Sequence, residues 1–260
     1  LDAMPEDRLG LVSVDVTSQY ITISDNGPGM SWQDLANFFM MHAENVHRKR
    51  GKRVRGRFGT GKCAAFGLAN ELTIETVQNG LLSKVRLTRH DLESARDGQP
   101  VPVRQLQKDH PTDRADGTEV EITDLLQKRI DVNKTIEYVE RHLARYRRRA
   151  EVTIAGHVCS FTEPPSVAQY EIPAPADVAL TLGDITLTLK VSPTRLDKDF
   201  QGVEILSYGI WHETTLAGVE GRERSEFIFG EIDVPLLEDR DWQIPAFDNT
   251  RNNMLNRSNQ

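Results

Sequence analysis

The sequence predicts an α+β protein in two parts, a larger mixed domain over residues 1–162 and a smaller β-rich domain over 176–260, joined by a linker at 163–175. Three observations carry this prediction. Short runs at 11–16, 20–24, 72–77, 82–88 and 118–122 alternate apolar and polar residues, as half-buried strands do. Helical apolar spacing appears around 31–39, 62–69 and 132–149. The proline cluster Pro164, Pro165, Pro173 and Pro175 then precedes further strand-like runs at 178–191, 202–211 and 227–234. A chain of 260 residues can bury a sizeable core, and with typical domains of about 100–150 residues it divides naturally into two.

In chain order, 11–16 and 20–24 suit two antiparallel strands. Ser31 is a helix N-cap before Trp32-Gln33-Asp34, and Leu35, Phe38 and Phe39 supply an apolar face. Residues 42–55 are polar and basic and read as a long loop, of a length commonly used for lids. From Lys62 the run Cys63-Ala64-Ala65-Phe66-Gly67-Leu68-Ala69 reads as a buried helix. Strands at 72–77, 82–88 and 118–122 follow, with a polar, proline-containing surface excursion at 94–115. Residues 132–149 are helical, with Ile136, Val139, Leu143 and Tyr146 on one face. Arg145, Arg147, Arg148 and Arg149 complement the dipole at its C-terminal end. A strand at 151–154 closes the first part.

Composition narrows the function. Charged residues make up 27% and hydrophobic ones 38%, ordinary for a soluble protein, and no apolar stretch approaches the roughly 20 residues that span a bilayer. The chain opens without a signal-peptide pattern, so neither a secretory leader nor a membrane partner is expected. Cys63 and Cys159 lack metal-ligand spacing and suggest buried thiols in a reduced, cytoplasmic setting. The net charge of −7 weighs against a dedicated nucleic-acid binder. Yet Arg48, Lys49, Arg50, Lys52, Arg53, Arg55 and Arg57 form a basic run with no acidic residue among them. That run fits a solvated surface loop, or a contact with phosphate from nucleotide or nucleic acid.

Two glycine clusters carry chemistry. In Asp25-Asn26-Gly27-Pro28-Gly29-Met30 the glycines allow a tight turn with backbone close to a flat ligand. Asp25 offers a carboxylate to an exocyclic amine such as that of adenine, and Met30 a polarizable surface to a purine. The same residues also fit an ordinary turn between strand and helix. In Gly56-Arg57-Phe58-Gly59-Thr60-Gly61-Lys62, backbone N–H groups can converge on an anion before a helix, with Lys62 adding a point charge. This is not a Walker A loop, because Cys63 follows Lys62, nor does it follow a strand as a dinucleotide fingerprint would.

Together these clusters resemble the GHKL ATPases: gyrase, Hsp90, histidine kinases, MutL and MORC-like relatives. Residues 25–30 match that superfamily's first glycine box, Asp-x-Gly-x-Gly-Met. Residues 56–62 with Ala64-Ala65-Phe66 look like its second, closest to the Hsp90- and MORC-like form, and Asp116-Gly117-Thr118 looks like its later Gly-Thr strand. The resemblance implies a Bergerat-type α/β sandwich that binds ATP with Mg2+, followed by a ribosomal-S5-like domain. Asp25 would bind the adenine amine, with Thr118 supporting it through water. Asn26, Gly27, Gly29 and Met30 would shape the base pocket, 56–62 would wrap the phosphates, and 42–55 would be the lid.

The family's catalytic helix carries a Glu base and a Mg2+-holding Asn. Leu1-Asp2-Ala3 looks like the tail of that pattern, so both residues are expected before residue 1, with Asp2 the remnant. Hydrolysis by the present residues alone is not expected, since charge neutralisation and water activation would both be missing. Arg251, within 247–256, is the candidate γ-phosphate sensor, ahead of Lys190, Arg195 and Lys198; a solvated Arg in a C-terminal helix fits equally. ATP binding would close the lid and favour a homodimer acting on a protein or nucleic-acid client. The alternatives are a nucleic-acid-binding module using the basic run, or a histidine-kinase-like phosphotransferase.

Overall fold

The computed structural model describes residues 8–39, 65–94, 103–127, 129–142, 150–207 and 209–239. The chain forms an α+β fold in two compact units, Leu1–Phe161 and Thr162–Gln260.

An eight-stranded sheet organises the first unit. Its strands are β1 (Gly10–Val16), β2 (Tyr20–Asp25), β3 (Ala69–Gln78), β4 (Leu81–Thr88), β5 (Arg104–Pro111), β6 (Gly117–Leu125), β7 (Ala150–Ile154) and β8 (His157–Val158). Their order is β5-β4-β3-β6-β2-β1-β7-β8, antiparallel throughout except for the parallel pair β1 and β7. Every strand expected in this part forms, each lengthened at one or both ends. Asn79-Gly80, with φ of 52° and 74°, makes the two-residue hairpin between β3 and β4, a turn whose twist suits the flanking strands.

Strand register arranges the inward side chains in rows. Val16, Ile21, Ile122, Leu72 and Leu87 form one row across β1, β2, β6, β3 and β4, and Val14, Ile23, Val120, Ile74 and Val85 form the next. Helix α1 (Trp32–Phe38) sets Leu35 on these rows at 1% exposure, and Phe39 and Phe66 join the same cluster. Burying a leucine that fully contributes about 1.5–3 kcal/mol. Leu92 of α2 (Arg89–Ser94) packs on this cluster too, while α3 (Val132–His142) packs Ile136 and Val139 against Val152, Ile154 and Cys159. The other face of the sheet is polar, with Glu71, Thr73 and Glu75 on β3 beside Lys84 and Arg86 on β4 and Glu119 and Glu121 on β6.

Several expectations need correction. Residues 65–69 do not continue a helix: 65–67 make one 3-10 turn, closed by Leu68 N donating to Ala65 O at 3.0 Å, and Ala69 begins β3. Phe66 and Ala69 are buried as expected, but through the sheet core rather than a helix face. Gly67 within the run disfavours helix. The excursion at 94–115 contains β5, whose residues are all exposed. An edge strand held by backbone pairing needs no apolar alternation, so the sequence carried no signal for it.

In the second unit, β9 (Ala168–Pro173), β10 (Thr186–Val191), β11 (Gly202–Ser207), β12 (Ile210–Thr215) and β13 (Ile228–Asp233) form a sheet in the order β12-β11-β13-β10-β9. Only β11 and β13 run parallel among its pairs. Edge strand β9 lies inside the stretch read as linker. The run at 178–191 is not one strand but α4 (Ala176–Leu182) followed by β10. The reason is visible in burial: Val178 and Leu182, one helical turn apart, pack on Ile185, Val234 and Leu237, whereas Leu180 is 89% exposed. A strand would have turned all three to one side. The short helix α5 (Leu236–Asp239) ends the described chain. Among the described residues no helix is long and apolar enough to cross a membrane.

Candidate functional site

The third inward row of the first sheet breaks the apolar pattern. It consists of Val12, Asp25, Thr118, Thr76 and Ser83. Thr76 and Ser83 are 1% and 2% exposed, so a polar strip lies at the edge of an otherwise hydrophobic core.

Directly beyond it, the residues after β2 fold back over the sheet. Asp25 Oδ1 accepts from Gly27 N at 2.8 Å, an Asx turn that the Asp-Asn-Gly sequence favours. Asn26 Oδ1 accepts from Leu11 N at 2.7 Å, tying the turn to β1, and its carbonyl accepts from Arg8 Nη2 at 2.9 Å. Gly29 has φ of +65°, and a Cβ there would lie 1.9 Å from the Val77 carbonyl oxygen. Gly117 meets the turn likewise: a Cβ on it would lie 2.4 Å from Asp25 O. Both glycines are therefore required by close backbone approach. Ser31 then caps α1 in a capping box with Asp34, as its sequence position predicted.

Side chains of β3 hold the turn from beneath. Met30 N donates to Thr76 Oγ1 at 2.8 Å, and Gln78 Nε2 donates to the carbonyls of Pro28 and Gly29 at 3.2 Å each. Thr76 Oγ1 also lies 3.2 Å from both Gly117 O and Thr118 Oγ1.

The structure thus brings together Asp25, Asn26, Gly27, Gly29, Met30 and Thr118. The second cluster, Gly56, Arg57, Phe58, Gly59, Thr60, Gly61 and Lys62, lies outside the described residues, as do the loop 42–55, Asp2, Cys63 and Arg251. Of the secondary sensor candidates, Lys190 is paired with Glu163 at 2.6 Å, and Arg195 and Lys198 are exposed. Sequence reasoning missed Thr76, Gln78 and Ser83. The signal for Thr76 was present: it takes the inward place after Leu72 and Ile74 in a strand of period two.

Chemically, the strip combines a carboxylate acceptor, Asp25, with Thr and Ser hydroxyls that both donate and accept. Asp25 Oδ2 accepts no hydrogen bond among the described residues, which leaves it for an external donor such as an exocyclic amine. Met30 is half-buried against the core beside it. Among the described residues no group of three or more His, Cys, Asp or Glu is placed to hold a metal ion. Away from the site, burial pushes the Cys159 thiol up, aided by Glu140, which suits an inert core residue.

The first unit is thus a sheet with its helices on one face, whose inward rows end in a carboxylate–threonine strip under a Gly-x-Gly turn. Residues 10–119 match the family described as histidine kinase-, DNA gyrase B- and HSP90-like ATPase. This part of the chain is a GHKL-type, ATP-binding domain. No curated protein matches the chain.

Proposed function

We propose that the chain is the nucleotide-binding part of an Hsp90- or MORC-like ATPase, with Asp25 Oδ2 accepting the adenine amine. The observation that carries this reading is Asp25 Oδ2, which accepts no hydrogen bond among the described residues, at the end of the polar row beside Thr118. Thr118 supports the amine through water, Asn26 ties the turn to β1, and Gly27, Gly29 and Met30 shape the purine face. Sequence resemblance assigns the phosphates to 56–62, the lid to 42–55 and γ-phosphate sensing to Arg251. On this reading the first unit is a Bergerat-type sandwich and the second a ribosomal-S5-like transducer. ATP binding closes the lid, favours a homodimer and acts on a protein or nucleic-acid client in the cytoplasm. A ligand drives such a change only through different contacts in the two states.

The test is Asp25→Asn. The amide can still accept from Gly27 N, so the turn persists, but its NH2 opposes the adenine amine. The expected result is a loss of ATP affinity of at least about tenfold with an unchanged melting temperature. Equal ATP affinity in wild type and Asp25→Asn overturns the assignment.

A further inference from the structure

We propose that Thr76 is a positioning residue that sets the hydrogen-bond polarity of the base pocket, making Thr118 an acceptor toward the ligand and so favouring a 6-amino over a 6-oxo purine. This rests on the adenine reading of Asp25.

A threonine hydroxyl has one proton to donate and two lone pairs. Three groups surround Thr76 Oγ1: Met30 N at 2.8 Å, Gly117 O at 3.2 Å and Thr118 Oγ1 at 3.2 Å. Met30 N–H can only donate, and Gly117 O can only accept. Thr76 is 1% exposed and so shielded from bulk solvent, and buried polar groups are nearly always satisfied. One arrangement serves all three neighbours at once. Thr76 accepts from Met30 N, donates to Gly117 O, and accepts from the Thr118 hydroxyl. The alternative, donation from Thr76 to Thr118, leaves Gly117 O without its bond from Thr76.

In the saturated arrangement the Thr118 proton is committed inward. Thr118 then offers a ligand lone pairs only, as does Oδ2 of its cross-strand partner Asp25. Two adjacent acceptors select a ligand edge, or a water bound to it, that donates. An amine at the purine 6-position does so and a carbonyl does not. Removing the Thr76 hydroxyl frees Thr118 to rotate and donate, which removes the bias.

The experiment measures binding of ATP and of inosine triphosphate, which differs in carrying a 6-oxo group, to wild type, Thr76→Val, Thr76→Ser, Thr118→Val and the Thr76→Val/Thr118→Val double variant. Wild type is expected to prefer ATP. Thr76→Val is expected to reduce that preference by about tenfold, and Thr76→Ser to retain it. Thr118→Val should reduce it as well, with no further change in the double variant, because Thr76 acts through Thr118. A Thr76→Val protein that weakens both nucleotides equally, or a further fall in the double variant, overturns the proposal. If Thr76→Val shows no cooperative unfolding, the serine variant decides: loss of the preference in Thr76→Ser overturns the proposal, and its retention alongside loss in Thr118→Val supports it. Absence of ATP binding by wild type refutes the adenine reading itself, a result separate from any change in the ratio.

Discussion

Gly29 lies against Val77 so closely that a single added carbon would stand 1.9 Å from the Val77 carbonyl oxygen. The contact seats the Gly-x-Gly turn on the last residues of β3, where Thr76 and Gln78 hold it on either side of Val77. The turn and strand β3 are thus one packed unit, although they are far apart in sequence.

Gly29→Ala should therefore lift the turn off the sheet. Positive φ and the clash with backbone together should cost about 2–4 kcal/mol, read by urea denaturation, with loss of ATP binding. Gly156→Ala is the control: its φ is +81° but nothing lies within 4 Å, so only the backbone strain of about 1 kcal/mol is expected. Equal losses in the two variants would refute the close-approach argument.

Leu35→Ala should destabilise the first unit by about 2–5 kcal/mol, because the side chain is fully buried between α1 and the sheet rows. Leu180→Ala in α4, 89% exposed, should change stability by under about 0.5 kcal/mol. Thermal unfolding of the two variants separates these outcomes.

Glu75 supplies a pH dependence. Burial pushes its carboxyl up, but Lys84 at 3.0 Å and Arg114 outweigh burial and hold it below the ordinary 4.5. A carboxyl with a lowered folded value binds more protons when unfolded. Its stabilisation is present above 4.5 and lost as pH falls through the folded value. Glu75→Gln should lower the melting temperature by about 2–4 °C at neutral pH, with the gap closing as pH falls below 4.5 and through the folded value. A gap unchanged across that range would show that packing, not charge, underlies the effect.

Neutralising Arg48, Lys49, Arg50, Lys52, Arg53, Arg55 and Arg57 tests the competing reading of the basic run. On the ATPase reading, any DNA binding is incidental, and Asp25→Asn weakens ATP binding at least about tenfold whatever the state of the run. DNA binding that is steeply salt-dependent, survives Asp25→Asn and vanishes on neutralisation would favour the nucleic-acid module.

In a protein that also carries the Glu base and Mg2+-holding Asn implied by the resemblance, Arg251→Ala should reduce ATP turnover at least about tenfold more than it reduces ATP binding, if Arg251 contacts the γ-phosphate chiefly in the transition state. Steady-state kinetics beside equilibrium binding provide the check, and equal losses in both would remove the sensing role.

Much of the first unit was readable because its signals are local. Alternation in 72–77 and 82–88 reports burial of each strand's own face, and Ser31 with Asp34 announces a helix start within one turn. Two of the misses share a cause. Residues 104–111 and 168–173 form edge strands, where backbone pairing with one neighbour suffices and side-chain pattern says little. Residues 178–182 satisfy both a two-residue and a helical spacing, and packing on Val234 and Leu237 decided between them.

By itself the sequence determined the Asp25–Met30 turn, because an Asx turn, a positive-φ glycine and a helix cap are all made by neighbouring residues. It also supplied Thr118 as a candidate. Only the tertiary structure decided what lies beneath the turn. Thr76 meets Met30 across a separation of 46 residues, and its place beside Thr118 depends on strand register. A slip of one residue would turn Thr76 to the opposite face. Periodicity records which way a side chain points from its own strand, whereas register, set by all the rows packing at once, chooses its neighbours.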